Sequence, residues 1–156
     1  MTRSEKATEN FMAGYNCSQA VSLAFADLLP IDEKTLSKLA CSFGGGMGRL
    51  REVCGAVSVP FMVIGSLYGY PGPETGSAKA EHYARVQEFA SLFREKYGTI
   101  SCSELLGRAK GSESHVPEER TKKYYESRPC PGIIEYAADL LEEYINLHGG
   151  KRSTGA

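Results

Sequence analysis

Val53-Cys54-Gly55-Ala56-Val57-Ser58-Val59-Pro60-Phe61-Met62-Val63-Ile64-Gly65-Ser66-Leu67-Tyr68 is the most apolar stretch of this chain. Wound at 3.6 residues per turn, Val53, Ala56, Val57, Val59, Phe61, Met62, Val63, Ile64 and Leu67 leave no polar face. A helix of that kind, from about Arg51 to Tyr68, belongs at the centre of a bundle. It falls short of the ~20 residues that a membrane span needs, and it contains Gly, Ser and Pro. Pro60 in its interior is expected to kink or break it. A strand over residues 57–64 would fit the β-branched content, but no hairpin signal accompanies it.

The segments on either side read as amphipathic helices. Asn16 can cap a helix of about 13 residues ending before Pro30, with Ala20, Val21, Ala24, Phe25 and Leu28 on its apolar face. Asp32 can cap a second, through Leu36, Leu39, Ala40 and Phe43, which stops at Gly44-Gly45-Gly46-Met47-Gly48. After a loop at Gly69-Tyr70-Pro71-Gly72-Pro73, a long helix is expected over Ser77 to Tyr97. Val86, Phe89, Ala90 and Phe93 face its core, Glu81 and Arg85 form an exposed i,i+4 pair, and Gly98 closes it. Ser101 and Glu104 make a capping box for a short helix. Residues 107–117 are polar and read as a mobile loop, and 118–125 as a helical piece. A last helix runs from Pro131 to about Leu147, with Ile133, Ile134, Ala137, Leu141 and Tyr144 inward. The expected fold is all-α: a single-domain bundle of five to seven helices over residues 1–148, with a flexible C-terminal tail over 149–156.

Composition narrows the function. The 156 residues carry a net charge of −1, with acidic and basic residues interspersed. A nucleic-acid-binding face would show a basic excess. The first ten residues lack the apolar core of a signal peptide, so a cytoplasmic location without membrane insertion is expected. In that compartment five cysteines are reduced, metal-bound or transiently oxidised rather than a static disulfide framework.

Four of the five cysteines stand where a helix should begin: Cys17, Cys54, Cys102 and Cys130. Free N–H groups and a partial positive charge at a helix N-terminus favour thiolate, the form that attacks disulfides and binds metals. No Cys-x-x-Cys occurs, which removes the local zinc-ribbon, thioredoxin and ferredoxin patterns. Any site must be assembled by the tertiary fold. Converging helix ends would suit two dithiol pairs, or four thiolates around an iron–sulfur cluster or zinc. Cys41, mid-helix between Ala40 and Ser42, reads as an inert buried thiol.

The glycine run lacks the Lys and the preceding strand of a phosphate loop. It reads either as a helix stop or as a turn whose backbone N–H groups, at Gly45 and Gly46, cradle a thiolate, sulfide or anion near Cys54. Arg49, Arg51 and Arg128 flank Cys54 and Cys130, where each can depress a thiol pKa or receive an anion. His82, His115 and His148 have no ligand spacing, and His148 suits the C-terminal end of its helix.

Asn16-Cys17-Ser18-Gln19-Ala20, the Gly44–Gly48 run, Cys54-Gly55-Ala56, Cys102-Ser103-Glu104-Leu105-Leu106 and the late Cys130 together resemble the C-GCAxxG-C-C family. Its members are small proteins described as redox-active, with four cysteines and a Cys-Gly-Ala-x-x-Gly motif. The resemblance extends from Ala13 to Tyr144. It implies that Cys17, Cys54, Cys102 and Cys130 are the functional cysteines and leaves Cys41 outside the pattern. The motif's closing Gly is Val59 here, which removes the close backbone approach that a glycine permits.

Three functions follow as expectations. The first is thiol–disulfide or electron-transfer chemistry by the four cysteines, as in a thiol–disulfide oxidoreductase, with Cys54 attacking and another thiol resolving. It would exchange electrons with an unidentified donor or acceptor protein. The second is an iron–sulfur or zinc module with the same four cysteines as ligands. The third is a non-catalytic helical interaction protein, with a homodimer through an apolar face as one form. Four cysteines allow three disulfide connectivities, and spacing does not choose among them.

Overall fold

The computed structural model describes residues 1–73 and 76–149. The expected tail over 149–156 lies, beyond Gly149, outside the described residues. The helices are α1 (Arg3–Met12), α2 (Cys17–Leu23), α3 (Glu33–Ala40), α4 (Gly44–Met47), α5 (Gly55–Tyr68), α6 (Ser77–Tyr97), α7 (Cys102–Leu105), α8 (Lys122–Ser127) and α9 (Cys130–Leu147). Six of them have seven residues or more and form an all-α bundle; α4, α7 and α8 are short helical turns. Among the described residues, Val53 and Ser101 make an isolated antiparallel bridge, and no helix is long and apolar enough to cross a membrane.

α5 is the central helix, packed against α2, α6 and α9. None of its fourteen residues is exposed, as its unbroken apolarity requires. Pro60 is tolerated within one continuous helix rather than breaking it. The core around α5 is closed by Phe89, whose ring meets Phe61 and Tyr144 edge-on, and by Phe93 stacked on Tyr97 at 4.9 Å. Such pairs add to the area-driven burial of the rings.

α5 begins at Gly55 rather than Arg51. Arg51 adopts a left-handed backbone (φ 60°). The next residues are drawn into extended pairing with the segment before α7. Cys54 N donates to Ile100 O (2.8 Å) and Cys102 N to Glu52 O (2.6 Å). This clip ties the start of α5 to the start of α7.

α2 is also shorter than its apolar face suggested. Ala24 N and Phe25 N donate to carbonyls three residues back, which tightens the chain into a 3-10 turn at Ala26–Leu28. Arg3 stabilises that turn by donating to Ala24 O (2.7 Å) and pairing with Asp27 (2.6 Å). In α3, Leu36 and Ala40 are buried, but Leu39 is 53% exposed and Phe43 half-exposed. Leu39 stands on the outer side of α3, and the chain passes into a 3-10 turn over Cys41–Phe43 that carries Phe43.

α6 runs from Ser77 to Tyr97 with Gly98 left-handed at its end (φ 75°), as its pattern demands. Arg85 does not turn to Glu81. Its guanidinium lies over the Tyr68 ring and donates to Tyr68 O. Sequence patterning did not reveal α1, which packs against α9 and α2. A full capping box, Thr2 with Glu5, starts it, and Ala7 and Phe11 anchor its buried face.

Candidate functional site

Asn16 holds the first cysteine in place. Its side chain accepts from Gln19 N (2.9 Å) and Gln19 reaches back to Asn16 N, a complete capping box. Asn16 Nδ2 also donates to Cys41 O (3.0 Å), tying the start of α2 to the end of α3. Cys17 is therefore fixed as the first residue of α2. Cys54 is the N-cap of α5, and Cys102 and Cys130 are the first residues of α7 and α9.

All four helix starts converge. Cys17, Cys54, Cys102 and Cys130 line one cavity of about 270 Å³. Cys54 and Cys102 are each 8% exposed, and Cys17 and Cys130 are half-buried. Cys41 lies at the same cavity with an exposed side chain, its Sγ donating to Lys38 O, so it is not the buried residue its sequence position suggested.

Two glycines let these parts meet. A Cβ on Gly55 would stand 2.7 Å from Cys17 Sγ and 2.8 Å from Phe43 O. A Cβ on Gly46 would stand 2.6 Å from the Cys102 Cβ. The motif position Val59 is simply core, 1% exposed, so close approach is provided by Gly55 instead. The turn between α3 and α5 is left-handed at Gly45, Gly46, Met47, Gly48, Arg49 and Arg51. Three of those residues carry side chains, and such backbone strain is commonly concentrated at functional sites. Gly45 lines the cavity and its N–H points at the Cys17 sulfur, together with those of Gly55 and Ser18. Gly46 is buried behind it, against Cys102.

The electrostatics depart from the thiolate-favouring field expected of helix ends. Burial pushes the Cys17 thiol up, against the opposing N–H groups of Gly45, Gly55 and Ser18. Burial, and next the neighbouring Cys17, push Cys54 well above its ordinary range. Cys130 is pushed up to about 11 by burial and by Cys17, with Arg128 opposing. Desolvation and mutual repulsion outweigh the helix ends because several sulfurs share one dry space. Once one ionises, the cost of ionising the others rises.

Cations sit at the wall. Arg51, 5% exposed, donates from Nη1 to Cys102 Sγ (3.5 Å) and from Nε to Glu113 (2.6 Å). Arg128 pairs with Glu118 (2.8 Å) beside Cys130, its guanidinium over the Tyr124 ring. Glu113 also receives Arg108 (2.9 Å) and Arg49 (3.5 Å). The polar segment 107–117, expected to be mobile, is thus clamped across the site by ion pairs with residues far away in sequence. The Ser101–Glu104 capping box is half formed: Glu104 N donates to Ser101, but the Glu104 carboxylate accepts from Thr99 instead. His115 and Tyr124, which no motif singled out, also line the cavity.

Among the described residues no three His, Cys, Asp or Glu side chains are grouped so that they could hold a metal ion.

No curated protein and no solved structure matches the chain. A family model, described as "Putative redox-active protein (C_GCAxxG_C_C)", matches residues 15–144, a span that contains all five cysteines and the whole cavity apart from Phe11. The chain belongs to this C_GCAxxG_C_C family.

Proposed function

We propose that this protein performs thiol–disulfide exchange in a reducing, cytoplasmic setting, using two or more of Cys17, Cys54, Cys102 and Cys130. The observation that carries this reading is the gathering of four thiols from four separate helix starts into one cavity.

The exposures suggest the order of events. Cys130 is half-buried and has the Arg128 guanidinium beside it, so it meets an incoming disulfide first. Its thiolate attacks one sulfur of an external disulfide. A mixed disulfide forms, and the leaving thiolate takes a proton. Cys17, which bears most strongly on Cys130 among the other thiols, then attacks the Cys130 sulfur. A second thiol leaves, and the protein holds a Cys17–Cys130 disulfide. Two electrons pass to the external disulfide, which departs as two thiols. Cys54, which its central position marked as the attacker, is poorly placed to attack: it is 8% exposed and burial pushes its thiol well above its ordinary range.

A thiol with a pKa of about 11 is mostly protonated at neutral pH, so exchange should accelerate with pH. The test is a redox titration of the oxygen-free, reduced protein against a disulfide buffer, with thiols counted at each point. Loss of two thiols per chain in one two-electron step is expected. Retention of all five thiols across the titration would end the reading.

A further inference from the structure

The charges around the cavity do not balance, and the imbalance bears on what enters it. Arg49, Arg51, Arg120 and Arg128 line it, and Arg108 joins their ion-pair cluster. Glu113 and Glu118 are the carboxylates paired with that cluster among the described residues. Five cations thus face two anions.

Arg120 carries much of the excess. Its guanidinium lies over the rings of Phe11 (4.4 Å) and Tyr124 (4.9 Å), and it donates to the carbonyls of Phe11 (3.3 Å) and Tyr15 (3.2 Å). Its partners are rings and carbonyls; among the described residues none is a carboxylate within ion-pair distance. A half-desolvated cation without a counter-charge favours an arriving anion. Ile133 and Ile134 add apolar surface to the lining.

Size gives the second constraint. The cavity, about 270 Å³, is on the scale of a small-molecule site. That suits a molecule of few carbons.

We propose that the oxidising substrate of this cavity is a small disulfide bearing carboxylates, held by Arg120 and its neighbouring arginines with its sulfurs against the cysteines. This rests on the thiol–disulfide reading above. The exchange balances as written there: one external disulfide becomes two small carboxylate thiols, and two protein thiols become one disulfide.

The test uses three disulfides built on the same two-carbon arms: the dianion dithiodiglycolate, the neutral bis(2-hydroxyethyl) disulfide and the dication cystamine. Each oxidises the anaerobically reduced full chain, and each rate is divided by the rate of the same probe with dithiothreitol, which removes intrinsic reactivity. The expected order is dianion, neutral, dication, with the dianion faster than the neutral probe by about tenfold or more and the gap narrowing as salt rises. Arg120→Gln should lower the dianion-to-neutral ratio and Arg120→Lys should largely restore it, which loss of packing alone would not do. Equal normalised rates for the three probes, or a faster dication, would overturn the substrate inference while leaving exchange intact. No intramolecular disulfide with any probe would overturn the exchange reading and this inference with it.

Discussion

Replacing Cys130 with alanine should change how stability responds to alkali. The Cys130 thiol stands at about 11 in the folded chain, against 9.0 for an ordinary thiol, because burial and Cys17 disfavour its charge. A group whose protonated form is favoured by folding leaves the folded state holding more protons than the unfolded one between those two values. Stability therefore falls as pH rises through that window. Two units correspond to about 3 kcal/mol, fully present below about pH 9 and lost by about pH 11. Tyrosines and lysines titrate in the same range, so the difference between parent and variant isolates the thiol. Urea unfolding under reductant and without oxygen, at steps from pH 7.5 to 11, would supply both curves. The parent should lose about 3 kcal/mol more than Cys130→Ala across the window. Parallel curves would show that Cys130 is not desolvated among its neighbours, and the electrostatic picture of the cavity would fail.

Gly55→Ala forces a Cβ to within 2.7 Å of Cys17 Sγ and 2.8 Å of Phe43 O, which is an overpacking cost of about 1–3 kcal/mol. Urea unfolding should show that loss, where a helix gaining alanine in open space would have become more stable. Glu113 is held below the usual carboxylate range by Arg108 and then Arg51, so its clamp should persist above pH 4.5 and release as acid carries the pH below that value. Amide exchange of residues 107–117 should quicken on such acidification, and Glu113→Gln should quicken it at neutral pH; unchanged exchange in the variant would contradict the clamp. Thr2→Ala removes the capping box of α1 and should cost about 1 kcal/mol in thermal or urea unfolding, while no effect would mean that α1 is held by α9 alone.

The helices that were legible in sequence are those with an uninterrupted pattern and a strong stop. α6 has a long apolar stripe ending at a glycine that must turn left-handed, and α5 is apolar on every side. α1 was obscured because its buried face is built from Ser4, Ala7 and Phe11, too small and polar to make a hydrophobic stripe. The shortening of α2 depends on Arg3, which lies on another helix, and the late start of α5 depends on pairing with residues near 100. Neither partner can be inferred from local periodicity.

Of the cavity lining, the sequence singled out the four cysteines with Gly45, Arg49, Arg51 and Arg128, and missed what the segment near residues 113–120 brings. Helix-start contexts pointed to Cys17, Cys54, Cys102 and Cys130, and the fold brings them to one cavity. The direction of acidity at Cys17, Cys54 and Cys130 was not legible, because the N-terminal field is local while desolvation is a property of the assembled core. Glu113, Glu118, Arg120 and His115 come from a polar stretch that resembles any surface loop until it folds back over the thiols.

The most direct test of the account is peptide mapping by mass spectrometry after oxidation of the reduced chain with one equivalent of a small disulfide. An intramolecular disulfide between Cys17 and Cys130, with Cys41 left as a free thiol, is the expected product. Oxidation confined to the exposed Cys41, or four unreacted cavity thiols, would contradict the claim that the converging helix starts form a redox site.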